Sequence, residues 1–263
     1  MAEVAEGNEA EEAAKDDKAA AIAKRREKRA KNDKNAIDES LAVPVLQIGD
    51  EVPQFTADST MGMFNFHDLI DGAFSIVVTF RNSFDPVSTT EIGMLAKLKE
   101  EFKERDVRVL GLCVDTKDNL RKWTEEIQEL QDCGDIWFPI ICDTNADISR
   151  LFGLVKNKAV NAKRNLKPAT LIMMIDIDKR VRLVTQYPDT CGRNFYEALR
   201  SIDSLQLTLF HRVVTPVNWF QGEEVFVHPD LSSNAASSMF PKGFNEVRPW
   251  YRPTTQPDVS GGL

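Results

Sequence analysis

Four thiols are the first candidates for chemistry in this chain. Cys113, Cys133, Cys142 and Cys191 include no C-x-x-C spacing. In a chain of 263 residues four such cysteines set out neither a disulfide framework nor a zinc site. Cys113 and Cys142 end β-branched runs and are expected to be buried, inert side chains. Cys133 falls in a helix-to-strand loop. Cys191 stands in the turn Asp189-Thr190-Cys191-Gly192 just before a helix, where a thiol's pKa can be lowered. Thiol chemistry at Cys191 or Cys133 therefore stays open. Ser88-Thr89-Thr90-Glu91 has the form of a capping box, with the Ser88 hydroxyl on the N3 amide and Glu91 reaching back. No G-x-S-x-G elbow surrounds Ser88, and the sequence places none of His67, His211 and His228 beside it. A Walker A loop, a G-x-G-x-x-G turn and an H-E-x-x-H helix are also absent from the sequence. No cofactor, metal or small-molecule substrate is expected.

The elements that must position these residues alternate. Short β-branched runs fall at Ser75–Phe80, Val107–Cys113, Trp137–Cys142, Thr170–Ile175 and Val181–Gln186. Between them lie helical stripes, one of Ile92, Leu95, Leu98 and Phe102 and one of Leu120, Trp123, Ile127 and Leu130. A third helix is expected near Asn194–Leu209. This alternation predicts an α/β sheet covered on both faces. The short connection Asp-Ile-Asp-Lys-Arg makes the last two strands an antiparallel hairpin, so the sheet is mixed. After Phe210 the pattern loosens into short strands and Pro-rich turns.

The chain carries 33 basic and 41 acidic side chains, a formal charge of -8, and its mean hydropathy is -0.32. No apolar run approaches the ~18 residues of a membrane span, and the acidic, Ala-rich start is unlike a signal or transit peptide. A reducing intracellular compartment is the expectation. The net charge conceals a sorted tail. Segment 1–17 sets seven acids against Lys15, for -6. Segment 24–34 sets Lys24, Arg25, Arg26, Lys28, Arg29, Lys31 and Lys34 against Glu27 and Asp33, for +5. Good helix formers dominate, but Ile22 is the one large apolar side chain between Val4 and Ile37, so a helix here has no face to bury. The tail reads either as solvated chain or as a basic helix that docks on an anionic partner. At the other end, Pro249, Pro253 and Pro257 argue for an extended strap without regular sheet, which Trp250 and Tyr251 could pin to a partner or to their own domain. The organisation expected is a tail over 1–44, an α/β domain over 45–210, and a small domain with the strap over 211–263.

Several stretches, in order from about Ile48 to Pro257, resemble the peroxiredoxins of the 1-Cys subfamily. They are IGDEVPQFTADSTMG, FDPVSTTEIG, FPIICDTNADISRLFGL, QYPDTCGRNFYEALRSIDSLQLT and HRVVTPVNWFQGEEVFVHPD. The resemblance implies a thioredoxin-like mixed sheet with flanking helices, a small C-terminal domain, and dimerisation through the edge strand near 181–187. It also implies a site. The family's loop has the form P-x-x-x-T-x-x-C, preceded by a histidine in the 1-Cys group and completed by a distant arginine. Carried onto this sequence, the cysteine position is Ser88, the threonine Asp85, the proline Arg81, the histidine Phe80 and the arginine Thr170. Some 1-Cys enzymes have a phospholipase activity attributed to a serine in G-D-S-W-G with a histidine upstream. Here that serine position is Ala73, and His67 remains.

The expectation is a redox-inactive family member acting as a structural protein of a large intracellular assembly. The specific expectation is a microtubule-associated protein, cytoskeletal or ciliary, because a basic helix suits an acidic polymer. Two alternatives stand beside it: a divergent thiol oxidoreductase or redox sensor using Cys191 or Cys133, and an adaptor that binds anionic nucleic acid or membrane through residues 24–34.

Overall fold

The computed structural model describes residues 46–155 and 168–258. The chain divides into two units, Met1–Ala42 and Val43–Leu263. The basic segment 24–34 and the helical tail expected over 1–44 lie outside the described residues. Within the second unit, the region around and after residue 210 has a core of its own.

A five-stranded mixed sheet forms the body. Its strands are β3 (Phe74–Phe80), β4 (Val107–Cys113), β5 (Ile140–Cys142), β6 (Thr170–Ile175) and β7 (Val181–Tyr187), in the order β5-β4-β3-β6-β7. β3, β4 and β5 run parallel, while β6 is antiparallel to both β3 and β7. All seven residues of β3 are buried, as a central strand covered on both faces requires. A minor pair, β1 (Thr56–Ala57) and β2 (Phe64–Asn65), leads into α1 (Phe66–Leu69).

Alternation along the strands makes two cores. Ile76, Val78, Phe80, Val109 and Cys113 face the helices α2 (Pro86–Lys97), α3 (Lys99–Glu104), α4 (Lys117–Gln131) and α6 (Phe195–Phe210). Val77, Leu110, Leu112 and Met173 face α1 and Phe152, which follows α5 (Asp147–Leu151). The stripe Ile92, Leu95, Leu98 and Phe102 is buried as expected, but on two helices, because the chain breaks at Leu98 (φ -88°, ψ 18°). Leu130, expected in the second stripe, is 69% exposed, because the last turn of α4 runs past the core. The run expected as a strand from Trp137 pairs only from Ile140 onward. Trp137 turns back instead, and its indole N–H donates to the Ala96 carbonyl at 3.1 Å.

The appended region is a three-stranded antiparallel sheet with β9 (Val225–Val227) between β8 (Val213–Val214) and β10 (Pro253–Thr254). Leu207, Val213, Trp219, Val225 and Val227 pack with Ala236 and Phe240, at and just after α7 (Ser233–Met239). The strap is therefore not free of sheet. Pro253 is tolerated because β10 is an edge strand and needs no donor there. Buried Arg252 anchors the strap by donating to the His228 carbonyl at 3.0 Å. Tyr251 lies 4.6 Å from the Phe226 ring, on its own domain, while Trp250 stays 67% exposed. No described helix is long and apolar enough to cross a membrane.

Gly111 tests the tight packing of β4 on β5. An added methyl group would stand 3.0 Å from Ile140 Cγ1 and 3.2 Å from Phe80 Cε2, both in the buried core. Gly111→Ala is expected to destabilise the fold by ~1–3 kcal/mol in denaturant titration, and an unchanged midpoint would contradict this packing.

Candidate functional site

The positions singled out around Ser88 do gather. Phe80 ends β3 and Thr170 begins the antiparallel strand β6 at the same end of the sheet, where the Thr79 hydroxyl donates to the Ala169 carbonyl. Arg81 and Asp85 follow β3, and Ser88 sits in the first turn of α2. The loop Asp189–Arg193 closes over them. Arg81 pairs with Asp189, and a methyl group on Gly192 would stand 3.8 Å from Val87 Cγ1. His67 and Ala73 lie toward the other end of β3. His67 Nε2 is 2.8 Å from the Val52 carbonyl, a contact that holds a turn.

The helix start differs from the capping box expected. Asp85, not Ser88, is the N-cap, with extended backbone (φ -90°, ψ 128°) and Pro86 at the first helical position. Ser88 is the N3 residue, and its amide and hydroxyl both donate to Asp85 Oδ2 at 2.8 Å. The Thr89 hydroxyl donates to the Asp85 carbonyl at 2.8 Å and accepts from the Trp123 indole at 2.9 Å. Ser88 is 3% exposed. The base within reach of this hydroxyl is the Asp85 carboxylate. The carboxylate beside it accepts its hydrogen bond and caps the positive end of the helix.

Glu91 does not reach back to the cap. It forms a buried ion pair with Arg193, whose side chain is 0% exposed. Arg193 Nε and its backbone N–H each donate to Glu91 Oε1 at 2.9 Å, and Nη2 donates to Oε2. Nη1 donates to the Thr79 carbonyl at 2.9 Å and the Leu171 carbonyl at 2.8 Å. The guanidinium also lies 5.1 Å from the Phe80 ring centroid. Reading the sequence missed this pair. The two residues are 102 positions apart, and the one visible signal was that Arg193 falls inside the family-like stretch CGRNF.

Nearby charges are also paired within the fold, although the Arg81 Nε is buried without a hydrogen-bond partner among the described residues. Burial would raise the carboxyl pKa of Asp115, but hydrogen bonds from Ser83 and Asn119 outweigh it and hold the group below the usual range. Two surface clefts, of about 250 and 310 Å³, are lined by Phe210, Arg212 and Met239 and by Lys99, Trp137 and Phe138, away from Ser88. Among the described residues no three His, Cys, Asp or Glu side chains gather as metal ligands.

Comparison with known proteins fits this architecture. The AhpC/TSA family model matches residues 48–184, and the model of the C-terminal domain of 1-Cys peroxiredoxin matches residues 204–243. The chain is 38% identical to the mitochondrial peroxiredoxin PRX1 of Saccharomyces cerevisiae over 212 residues, 80% of each chain. This chain belongs to the peroxiredoxin family, in its 1-Cys subfamily. Peroxiredoxin-6 of Rattus norvegicus is 38% identical over 75% of this chain and 90% of its own. The solved structure of a yeast mitochondrial 1-Cys peroxiredoxin superposes with a TM-score of 0.74, at 38% identity, over 80% of this chain and all of that one. A cysteine-to-serine mutant of peroxiredoxin 6 from Arenicola marina also gives 0.74, at 34% identity, over 81% of this chain and all of that one. The peroxiredoxin fold, with its mixed sheet and small C-terminal domain, is therefore the fold of this protein.

The four thiols of this peroxiredoxin differ in reach. Cys113 is fully buried, and burial pushes its pKa far up. Cys142 is half-buried and is pushed up to about 11, first by burial. Cys133 is also raised by burial, and Cys191 is exposed in the loop against α2. Alkylation followed by peptide mapping should therefore label Cys191 first and leave Cys113 unlabelled until the protein unfolds. The Cys142 rate should rise about tenfold per pH unit between pH 7 and 10, since its thiolate is the minor form there. A pH-independent Cys142 rate would contradict its burial. For the buried pair, Glu91→Ala and Arg193→Ala should each cost ~3–5 kcal/mol by stranding a charge. The double variant should cost less than their sum, and an additive result would show that the two side chains do not depend on each other.

Proposed function

We propose that this peroxiredoxin uses its fold for binding and does not reduce peroxide at position 88. The observation that carries this reading is the state of Ser88, a buried hydroxyl donating to Asp85 where the family resemblance implies a reactive thiolate. An alcohol forms no sulfenic acid and so cannot store the oxidising equivalent that peroxide reduction delivers. The surroundings support the same reading. Asp85 adds a carboxylate to the helix end where a peroxide would have to bind. Thr170 offers no positive charge, Arg81 is engaged by Asp189, and Arg193 is engaged by Glu91. Phe80 contributes a ring in place of an imidazole, and Ala73 removes the hydroxyl that His67 would activate in a phospholipase site.

The binding role has two supports. β7 is the outermost strand of the sheet, and its outer edge is the proposed surface for a homodimer near 181–187. The segment Lys24–Lys34, with its sum of +5, suits an acidic polymer, and Trp250 offers an exposed aromatic contact. The microtubule lattice is the proposed partner, in a cytoskeletal or ciliary setting.

A second reading has the backing of the relatives, which are named peroxiredoxins. Within this chain it would fall to Cys191, the exposed thiol in the loop packed against the start of α2. Peroxide consumption in the presence of a thiol reductant separates the two. No turnover that depends on Cys191 is expected, so the wild type and Cys191→Ser should consume peroxide alike. Turnover that disappears in Cys191→Ser would establish the second reading and sink the first. The chain should also pellet with polymerised tubulin and lose that association when residues 24–34 are deleted. A protein that stays in the supernatant, with a diffuse signal in cells, would end the microtubule assignment.

A further inference from the structure

Cys113 and Cys142 are 29 positions apart in sequence but are direct register partners on the parallel strands β4 and β5. They also share a face. Val107, Val109 and Cys113 of β4 and Ile140 of β5 line the core under α2 and α4, with Cys142 packed against it, whereas Leu110, Leu112 and Ile141 face the other way. Neighbouring strands lie ~4.8 Å apart, inside the ~4.4–6.8 Å window of Cα separations that a disulfide spans. The previous rung on the same face, two residues back, shows how close side chains come here, since a methyl group on Gly111 would stand 3.0 Å from Ile140 Cγ1.

We propose that Cys113 and Cys142 form a reversible disulfide, driven by a hydroperoxide, that staples the short strand β5 to β4. The two thiols have unequal access, which assigns their roles. Cys142 is half-buried and reachable from solvent, while Cys113 is 0% exposed and reachable only by its neighbour. Both are free thiols, and the Cys142 sulfur is 3.7 Å from the Ile140 carbonyl.

The chemistry balances in two steps. The Cys142 thiolate attacks the distal oxygen of the hydroperoxide, the O–O bond breaks, and the alkoxide or hydroxide leaves with a proton as alcohol or water. Cys142 becomes a sulfenic acid. The Cys113 sulfur then attacks the Cys142 sulfur, the S–O bond breaks, and the hydroxyl leaves with the Cys113 proton as water. The two sulfurs are oxidised by two electrons in all, and one peroxide is reduced. Without a reductant the exchange stops after one equivalent, so it is distinct from peroxidase turnover. Burial keeps the Cys142 thiolate scarce at neutral pH, which makes the bond a slow record of sustained oxidant.

The staple would act on the edge of the body. β5 has three residues and is held on its outer side by the turn at 58–62, through Cys142 N–H to the Asp58 carbonyl at 2.9 Å and Thr60 N–H to the Ile140 carbonyl at 3.0 Å. Linking it to β4 closes a loop that contains all of α4 and restricts the unfolded chain.

The test uses the full chain carrying Cys133→Ser and Cys191→Ser, exposed to hydrogen peroxide at pH 7 and pH 9 and mapped by differential alkylation and mass spectrometry. The expected product is one intramolecular Cys113–Cys142 crosslink that forms about a hundredfold faster at pH 9, reverses with dithiothreitol and raises Tm by a few degrees. Cys142→Ser must abolish it while the protein keeps its far-UV circular dichroism. Trapping of Cys142 as a sulfenic acid with Cys113 still a free thiol would overturn the proposal, as would a bond found only between two copies of the chain.

Discussion

The buried pair of Glu91 and Arg193 is the interaction on which the rest of this structure depends. Taking two charges out of water is costly, and the pair is tolerated only because its polar atoms are well satisfied. Both carboxylate oxygens accept from Arg193, and Nη1 is divided between the carbonyls of Thr79 and Leu171. Those contacts join α2, the ends of β3 and β6, and the loop that carries Cys191. The position of Ser88 follows from the pair, because Glu91 fixes the helix whose first turn Ser88 occupies.

The same pairing of charge extends around position 88. At this end of the sheet the charges are matched to one another. Arg81 meets Asp189, Arg193 meets Glu91, Asp115 is held by Ser83 and Asn119, and the Ser88 hydroxyl is turned onto Asp85. The peroxiredoxin fold persists here around a helix start that is capped and closed. The solved serine mutant of the Arenicola marina relative superposes as well as the yeast enzyme does, so replacing a cysteine by serine in that family member is compatible with the shared fold. The remaining thiols follow the layers of the structure, from Cys113 in the core to Cys191 on the surface loop.

Much of this was legible in the sequence. β4 and β6 fell where β-branched runs placed them, because burial on both sides of a sheet leaves a continuous apolar signal, α4 fell where its stripe did, and α6 lies where the third helix was expected. The misreadings have local causes. Ser88-Thr89-Thr90-Glu91 matches a capping box, but Asp85 followed by Pro86 is the stronger start, since proline has no N–H to satisfy and its φ suits the first turn. Leu130 fits the periodicity of α4 yet lies beyond the sheet it would cover. Trp137 reads as strand, but its indole finds a carbonyl on α2. Pro253 reads as a sheet breaker and is accommodated on an edge.

Sequence alone determined the family, the mixed α/β body, the small appended region and the chemical identity of the residue at position 88. These depend on residue type and near spacing, and covalent order preserves both. Only the tertiary structure decided the pairings across distance: Glu91 with Arg193, Arg81 with Asp189, and Cys113 beside Cys142. Such pairs are set by which strands lie side by side and by which faces they turn to the core. The chain order does not record that proximity until the sheet has closed.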